Sequence, residues 1–306
     1  MALEKTYQQI KDLKIQGATA IARSIIFELK KEGLACPEKG YSRWLSALKD
    51  NASFLLSVRP TEPMAQNLSR LLIANIQGLT TVDAGKKALT EIAKEVLQFI
   101  DLGQDNIIQY GQQVVKDGDH IMTHCHSSTV EHILVNAKKI GKKIKVFNTE
   151  TRPLYQGRIT AKNLLQNKID VTMVTDSAAA FLITSHSGKD VVIDKVLIGA
   201  DVIFSHGSAV NKIGSFNIAL AAVEQKIPLY IVAHLLKTDD DGRIEIERRS
   251  AKEVWSQAPK GLEIVNFAFD LIPAKFITGF ITEFGVIKPK NIRKMVKKKY
   301  PWLLRK

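Results

Sequence analysis

The sequence predicts an α/β fold in two parts, helices first and a parallel, doubly wound sheet after. Three observations predict it. About the first hundred residues carry apolar side chains at helical spacing. From about residue 118, short β-rich runs alternate with helical stretches. Those runs are nearly continuous in apolar character, as strands covered on both faces are.

The elements follow in order. "EKTYQQIKDLKIQGATAIARSIIFELKKEG" reads as helix, broken near Gly17 and stopped at Gly33. "SRWLSALKDNASFLLSV", "EPMAQNLSRLLIANIQG" and "GKKALTEIAKEVLQFIDLGQDNIIQYGQQVV" repeat the pattern, with "RPTEP" a proline-punctuated turn. Strands are expected in "HIMTHC", "IKVFNT", "DVTMVT", "KVLIGADVIF", "LYIVAH" and "GFITEFG". Helices over 127–140, 160–167, 177–185 and 213–226 separate the first five. "SHSGKD" at 185–190 and "TDDDGR" at 238–243 read as exposed loops. The expected division is an N-terminal helical domain over residues 1–112 and a Rossmann-like catalytic or ligand-binding domain over residues 113–306.

Composition narrows the class. The 306 residues, 45% hydrophobic, suffice for one large core or two moderate ones. No run approaches ~18 apolar residues, so no membrane partner is expected. The opening "MALEKTYQQIKDLKIQGATA" is charged and lacks the apolar region of a secretory signal. Two cysteines, Cys36 and Cys125, make no disulfide framework, and a reducing cytoplasmic location is expected. The net charge of +13 suits anionic partners: phosphorylated small molecules, RNA or an acidic protein. Part of it sits in "KPKNIRKMVKKKYPWLLRK", read first as a solvated helix face and second as a nucleic-acid or partner contact.

Ligands of open α/β sheets bind beyond the carboxyl ends of the strands. The first strand delivers His124 and Cys125, with Ser127 and Ser128 at a helix head that favours an anion and depresses a thiol pKa. The second delivers Glu150, Arg152, Gln156 and Arg158; the third, Asp176 as a cap of the next helix. The fourth delivers Asp201, then Asn211 and Lys212 ahead of a helix, and the fifth has Lys237 close behind. Thiol, carboxylates, cations and helix ends gather on one edge. A zinc reading of "HCH" places His124 and His126 on one strand face with Cys125 opposite, but no second ligand pair completes it, so no metal is expected. There is no acyl-transfer signature, no P-loop and no GxGxxG.

"THCHSS", "TETRPLYQGRITA", "TDSAA", "IGAD" and "SHGSAVNKIGS" together resemble one superfamily. It joins the alpha, beta and delta subunits of translation initiation factor 2B with ribose-1,5-bisphosphate isomerase and methylthioribose-1-phosphate isomerase. The resemblance runs from "KIQGATAIA" to "ITEFGVIKP", and the texture is archaeal in type. It implies an aldose–ketose isomerase, ribose 1,5-bisphosphate to ribulose 1,5-bisphosphate, with Cys125 and Asp201 as the proton-transfer pair and no cofactor. It assigns the sugar phosphate to Gly17, Arg59, Arg152, Asn211, Lys212 and Lys237, and Ser127 at the helix head and Gln16 beside Gly17 are expected to join them. It also implies a homo-oligomer, dimer or hexamer. Gln16 stands where the isomerases carry an arginine, and a neutral amide does not replace a bidentate guanidinium. The alternative is therefore a non-catalytic initiation-factor-2B-like regulatory subunit that contacts initiation factor 2.

Overall fold

The computed structural model describes residues 2–184, 191–240 and 246–304. The expected loop at 185–190 and residues 241–243 of the second loop lie outside the described residues. The chain forms two compact units, Met1–Gly103 with Leu236–Thr238, and Gln104–Leu235 with Asp239–Lys306.

The first unit is helical. It contains α1 (Ala2–Lys11), α2 (Ala18–Ala35), α3 (Tyr41–Leu56), α4 (Pro63–Ile76) and the N-terminal part of α5 (Val82–Val114). The chain divides inside α5, at Gly103, while the helix itself continues. Ile21, Ile25, Leu29, Trp44, Leu48, Leu68 and Leu72 are fully buried and form its centre. Gly33 does not stop a helix as expected; α2 runs past it to Ala35. It is a packing glycine, since a Cβ there would lie 2.4 Å from Leu89 Cδ2. The carbonyl it leaves accessible accepts the Trp44 indole N–H at 2.8 Å. Among the described residues no helix is long and apolar enough to cross a membrane.

The second unit is built on a seven-stranded sheet. Its strands are β1 (His120–Thr123), β2 (Lys145–Thr149), β3 (Asp170–Val174), β4 (Lys195–Gly199), β7 (Leu229–Val232), β10 (Gly279–Thr282) and β11 (Gly285–Ile287). They lie in the order β11-β10-β7-β4-β1-β2-β3, all parallel except β11. Helices α6 (Ser128–Lys139), α7 (Gln156–Gln166), α8 (Ala178–Ile183) and α9 (Ser215–Glu224) connect them. The α7 helix starts four residues earlier than its spacing suggested. Gly157 permits this, because any Cβ there would fall 1.8 Å from the Thr149 carbonyl oxygen.

The run "KVLIGADVIF" is not one strand. It breaks after β4, and β5 (Val202–Phe204) joins a second sheet with β6 (Ala209–Lys212), β8 (Thr238–Asp239) and β9 (Phe269–Ile272). The Asp201 N–H bonds the Val210 carbonyl at 2.9 Å, so the chain turns out of the first sheet where its apolar pattern continues. Both segments are apolar because both sheets are buried, and no periodicity separates them. Two small helices complete the unit, α10 (Ala251–Val254) and α11 (Ile292–Lys299).

Candidate functional site

Chain order reverses between β1 and β4: β1 leads outward to β2 and β3, while β4 leads the other way to β7 and β10. This is the switch point where open sheets leave a crevice beyond their carboxyl ends. His124 and Cys125 leave β1 there, and Asp201 follows β4. Gly199 keeps the crevice narrow. A Cβ on it would meet the Cβ and Oγ of Ser127 at 3.0 Å, so glycine lets the α6 head close against β4. Ser127 caps α6 by accepting the Val130 N–H.

The alternating strand faces expected for "HCH" do not exist. The β1 strand ends at Thr123, and Cys125 adopts a left-handed backbone, φ 66°. Only a few per cent of non-glycine residues do so, and surrounding contacts must hold such a conformation. Two bonds to Cys125 do so here, backed by three more behind them. The Cys125 N–H donates to Thr151 Oγ1 at 3.0 Å, and its carbonyl accepts from Thr160 Oγ1 at 3.0 Å. Thr151 Oγ1 lies 3.2 Å from Thr149 Oγ1, which lies 2.6 Å from His124 Nδ1. His124 Nε2 lies 2.8 Å from the Ile213 carbonyl. A carbonyl only accepts, so Nε2 carries the proton and Nδ1 receives the Thr149 hydroxyl. A single donor direction then runs from Cys125 N–H through Thr151 and Thr149 to His124. Burial lowers the His124 pKa, so the ring is a neutral tie between β1 and the loop before α9.

The thiol also differs from expectation. Cys125 keeps part of its surface accessible, yet enough protein surrounds the sulfur that burial pushes its pKa up to about 11. The Lys212 charge lowers it, while Asp201 and Asp176 raise it. The expected depression by a helix head is thus overridden by desolvation, and at neutral pH the group is a thiol. The charges of Lys212, Asp201 and Asp176 therefore all reach the Cys125 sulfur.

Asp176 does not cap α8, whose N-terminal neighbour is Ser177. Its two oxygens accept the Thr151 and Arg152 N–H groups at 2.8 and 2.6 Å, fixing the turn that supports Cys125. The Arg152 guanidinium lies against Tyr155 and donates to the Val254 carbonyl at 2.9 Å. Asn211 Nδ2 donates to Ser215 Oγ at 2.8 Å, and Ser215 Oγ donates to the Lys212 carbonyl at 2.7 Å. Lys212 Nζ lies 4.6 Å from the Phe269 ring centroid.

Sequence reasoning passed over Thr149, Thr151, Thr160 and Asp270. Asp270 lies opposite Asn211 in the β6–β9 pair and accepts the Gly214 and Phe216 N–H groups at 2.7 and 3.0 Å. Its other oxygen is buried without a hydrogen bond among the described residues. Burial pushes its pKa up to about 6. A lone carboxylate in the apolar run "FDLI" was the available signal.

In the first unit, Gly17 precedes α2 with φ 84°, a conformation that favours glycine, and α2 has no side-chain cap. Gln16 Nε2 donates back to the Leu13 carbonyl at 2.6 Å. Arg59 lies in the turn between α3 and α4, and its N–H donates to the Leu56 carbonyl. Lys237, five residues beyond the end of β7, groups with this unit. Buried Asn67 of α4 donates to the Leu236 and Thr238 carbonyls at 2.8 and 2.9 Å and so clamps the backbone on both sides of it. Among the described residues no group of three or more His, Cys, Asp or Glu could hold a metal ion.

The fold and this crevice define a Rossmann-like α/β protein with a cysteine and an aspartate at its switch point. The chain belongs to the initiation factor 2 subunit family, whose model matches residues 14–289. It is 36% identical to a ribose 1,5-bisphosphate isomerase of Methanocaldococcus jannaschii, over 98% of this chain and 96% of that one. It is 32% identical to a methylthioribose-1-phosphate isomerase of Pelotomaculum thermopropionicum, over 94% and 84%. The fold also matches the crystal structure of a Pyrococcus horikoshii translation initiation factor eIF-2B, with TM-score 0.80 and 27% identity over 94% and 97% of the two chains.

Proposed function

We propose that the chain is a sugar-phosphate aldose–ketose isomerase that converts ribose 1,5-bisphosphate to ribulose 1,5-bisphosphate. The observation that carries this reading is a neutral thiol on a constrained backbone, under the charges of Asp201 and Lys212, at the switch point. Isomerases of the family that align over almost the whole chain support it.

The reaction needs four proton movements. Opening the furanose breaks C1–O4; O4 gains a proton and C2 loses one, leaving an enol phosphate. Ketonisation then takes the proton from the C2 hydroxyl and returns one to C1. Donor and acceptor alternate on neighbouring atoms, so one acid and one base suffice. Cys125, a thiol at neutral pH, donates to O4, and the thiolate it leaves, stabilised by the Lys212 ammonium, later takes the C2 hydroxyl proton. Asp201 accepts the C2 proton and, in ketonisation, returns a proton to C1. Asn211, Lys212, Arg152 and the α6 head with Ser127 orient the sugar and its phosphates.

The test is turnover of ribose 1,5-bisphosphate by the purified protein and by Cys125→Ser and Asp201→Asn. Loss of turnover in both variants is expected, and unchanged rates would overturn the mechanism. An acid with a pKa near 11 also predicts no rise in rate between pH 7 and 9 from thiol ionisation. A second reading, a regulatory subunit that keeps the pocket, is favoured by Gln16 bonding to its own turn where an arginine would reach out. It predicts no turnover in the wild type but a raised melting temperature with ribose 1,5-bisphosphate.

A further inference from the structure

The charge of this chain is concentrated far beyond what solubility requires. Of the net +13, +9 falls in the last nineteen positions, which contain no acidic residue. Lys288, Lys290, Lys294, Lys297, Lys298 and Lys299 are all exposed. Arg293 is the exception in use, paired with Asp240 at 2.7 Å. The α11 helix carries most of them on its outer face, while Ile292 and Val296 are buried beneath.

Local rules argue against such a helix unless something offsets the repulsion. Arg293 with Lys297, and Lys294 with Lys298, are like charges one turn apart, which destabilises a helix. Lys294 also lies in the first turn, where the helix dipole disfavours a cation. Only Lys297–Lys299 in the last turn suit the dipole. Beside the lysines runs an aromatic series. Phe284 and Tyr300 lie 5.5 Å apart, Tyr300 and Trp302 6.1 Å, and Trp302 is 38% exposed. Lys299 Nζ lies 4.9 Å from the Phe284 centroid.

We infer that this α11 face, with the Trp302 ring at its end, is a docking surface for single-stranded RNA. Charge complementarity selects a polyanion. Lysine is depleted in protein–protein interfaces but binds phosphates readily as a point charge, which favours nucleic acid over an acidic protein. The apolar face of α11 is already buried in the fold, so the helix has none to insert into a membrane. The exposed indole offers a stacking face for an unpaired base, and RNA is the phosphate polymer read mainly through unpaired bases. None of the lysines or aromatic residues of this surface is among the residues placed in the crevice at β1 and β4, and the inference does not rest on the isomerase reading.

The experiment is fluorescence anisotropy of a labelled 20-nucleotide oligouridylate with the full chain, titrated from 50 to 300 mM KCl. Lys294→Gln/Lys297→Gln/Lys298→Gln is compared with Lys139→Gln/Lys143→Gln/Lys162→Gln, exposed lysines elsewhere in the same unit. The α11 triple variant is expected to bind about 100-fold more weakly at 0.1 M KCl, and its log–log salt slope to flatten by about 2. The control triple variant is expected to keep the wild-type slope. Trp302→Ala is expected to weaken binding about tenfold with the slope unchanged, since stacking is not electrostatic. Circular dichroism checks that each variant is folded. Equal losses in both triple variants, no binding at 50 mM KCl, or displacement of the RNA by an equal concentration of a polyglutamate of matched charge would overturn the inference.

Discussion

The two edges of the seven-stranded sheet use buried charge in opposite ways. At the amino edge, Lys195 opens β4 and Asp119 precedes β1, and their side chains pair at 2.5 Å. Lys195 also donates to the Val114 carbonyl at 2.8 Å, and Asp119 accepts the Lys116 N–H. Each charge there is answered by a group within bonding distance. At the carboxyl edge, Lys212 faces an aromatic ring, Cys125 is a buried thiol, and Asp201 and Asp176 act on that thiol through space. One edge pairs a cation with an anion, and at the other the charges bear on a thiol. The second arrangement is of the kind that shifts a pKa at functional sites.

The largest effects separate the two edges. Cys125→Ser is expected to lower turnover of ribose 1,5-bisphosphate about 10²–10⁴-fold, the usual range for a positioned acid or base, with the melting temperature unchanged. Lys195→Met is expected to do the reverse. It leaves Asp119 buried without its cation, which costs about 3–5 kcal/mol in denaturant unfolding, with KM unchanged at temperatures where the variant is folded. A loss of stability in the first variant with turnover intact would collapse the distinction.

Much of this was legible in the sequence. The order of strands and helices followed from apolar runs and their spacing, and the strand ends gathered Cys125 and Asp201 on one edge. The supporting layer was not legible. Nothing local shows that Thr149, Thr151 and Thr160 converge on residues 124–125, because those bonds span 25 to 35 positions. The thiol pKa went the wrong way for a related reason: a helix head is visible in sequence, but the depth of burial opposing it is not. Asp176 reads as a helix cap because it precedes α8, whereas its partners lie on the neighbouring strand's turn. Lys237 sits close to the fifth strand in sequence yet is clamped from α4.

The narrowness of the carboxyl edge can be tested next. Gly199→Ala sets a methyl group at 3.0 Å from Ser127 and should push the α6 head away from β4. The expected cost is about 1–3 kcal/mol, as for other over-packed sites. Turnover should fall more than stability does, because the α6 head lies beside Cys125. Ser127→Gly in the same chain removes the opposing atoms and should restore part of the stability but not the cap. If the double variant is as unstable as Gly199→Ala alone, Ser127 is not what limits the approach.

The smallest effect tests a buried carboxylate at the same edge. Asp270 fastens the start of α9, whose Gly214 lies 3.1 Å, measured from its would-be Cβ, from the His124 ring. Its pKa is raised from 3.8 to about 6, burial being the largest cause. The native state therefore holds this proton more tightly than the unfolded chain does. The stabilisation it brings is complete below pH 4 and is lost as pH rises through 6. Asp270→Asn keeps an oxygen for the two N–H groups and removes the ionisation. Between pH 4.5 and 7 the wild type should lose about 1–2 kcal/mol relative to this variant, read from urea midpoints at the two pH values. Parallel pH profiles in the two proteins would mean that the Asp270 charge is as well solvated as in the unfolded chain, and the α9 head would then be open to water.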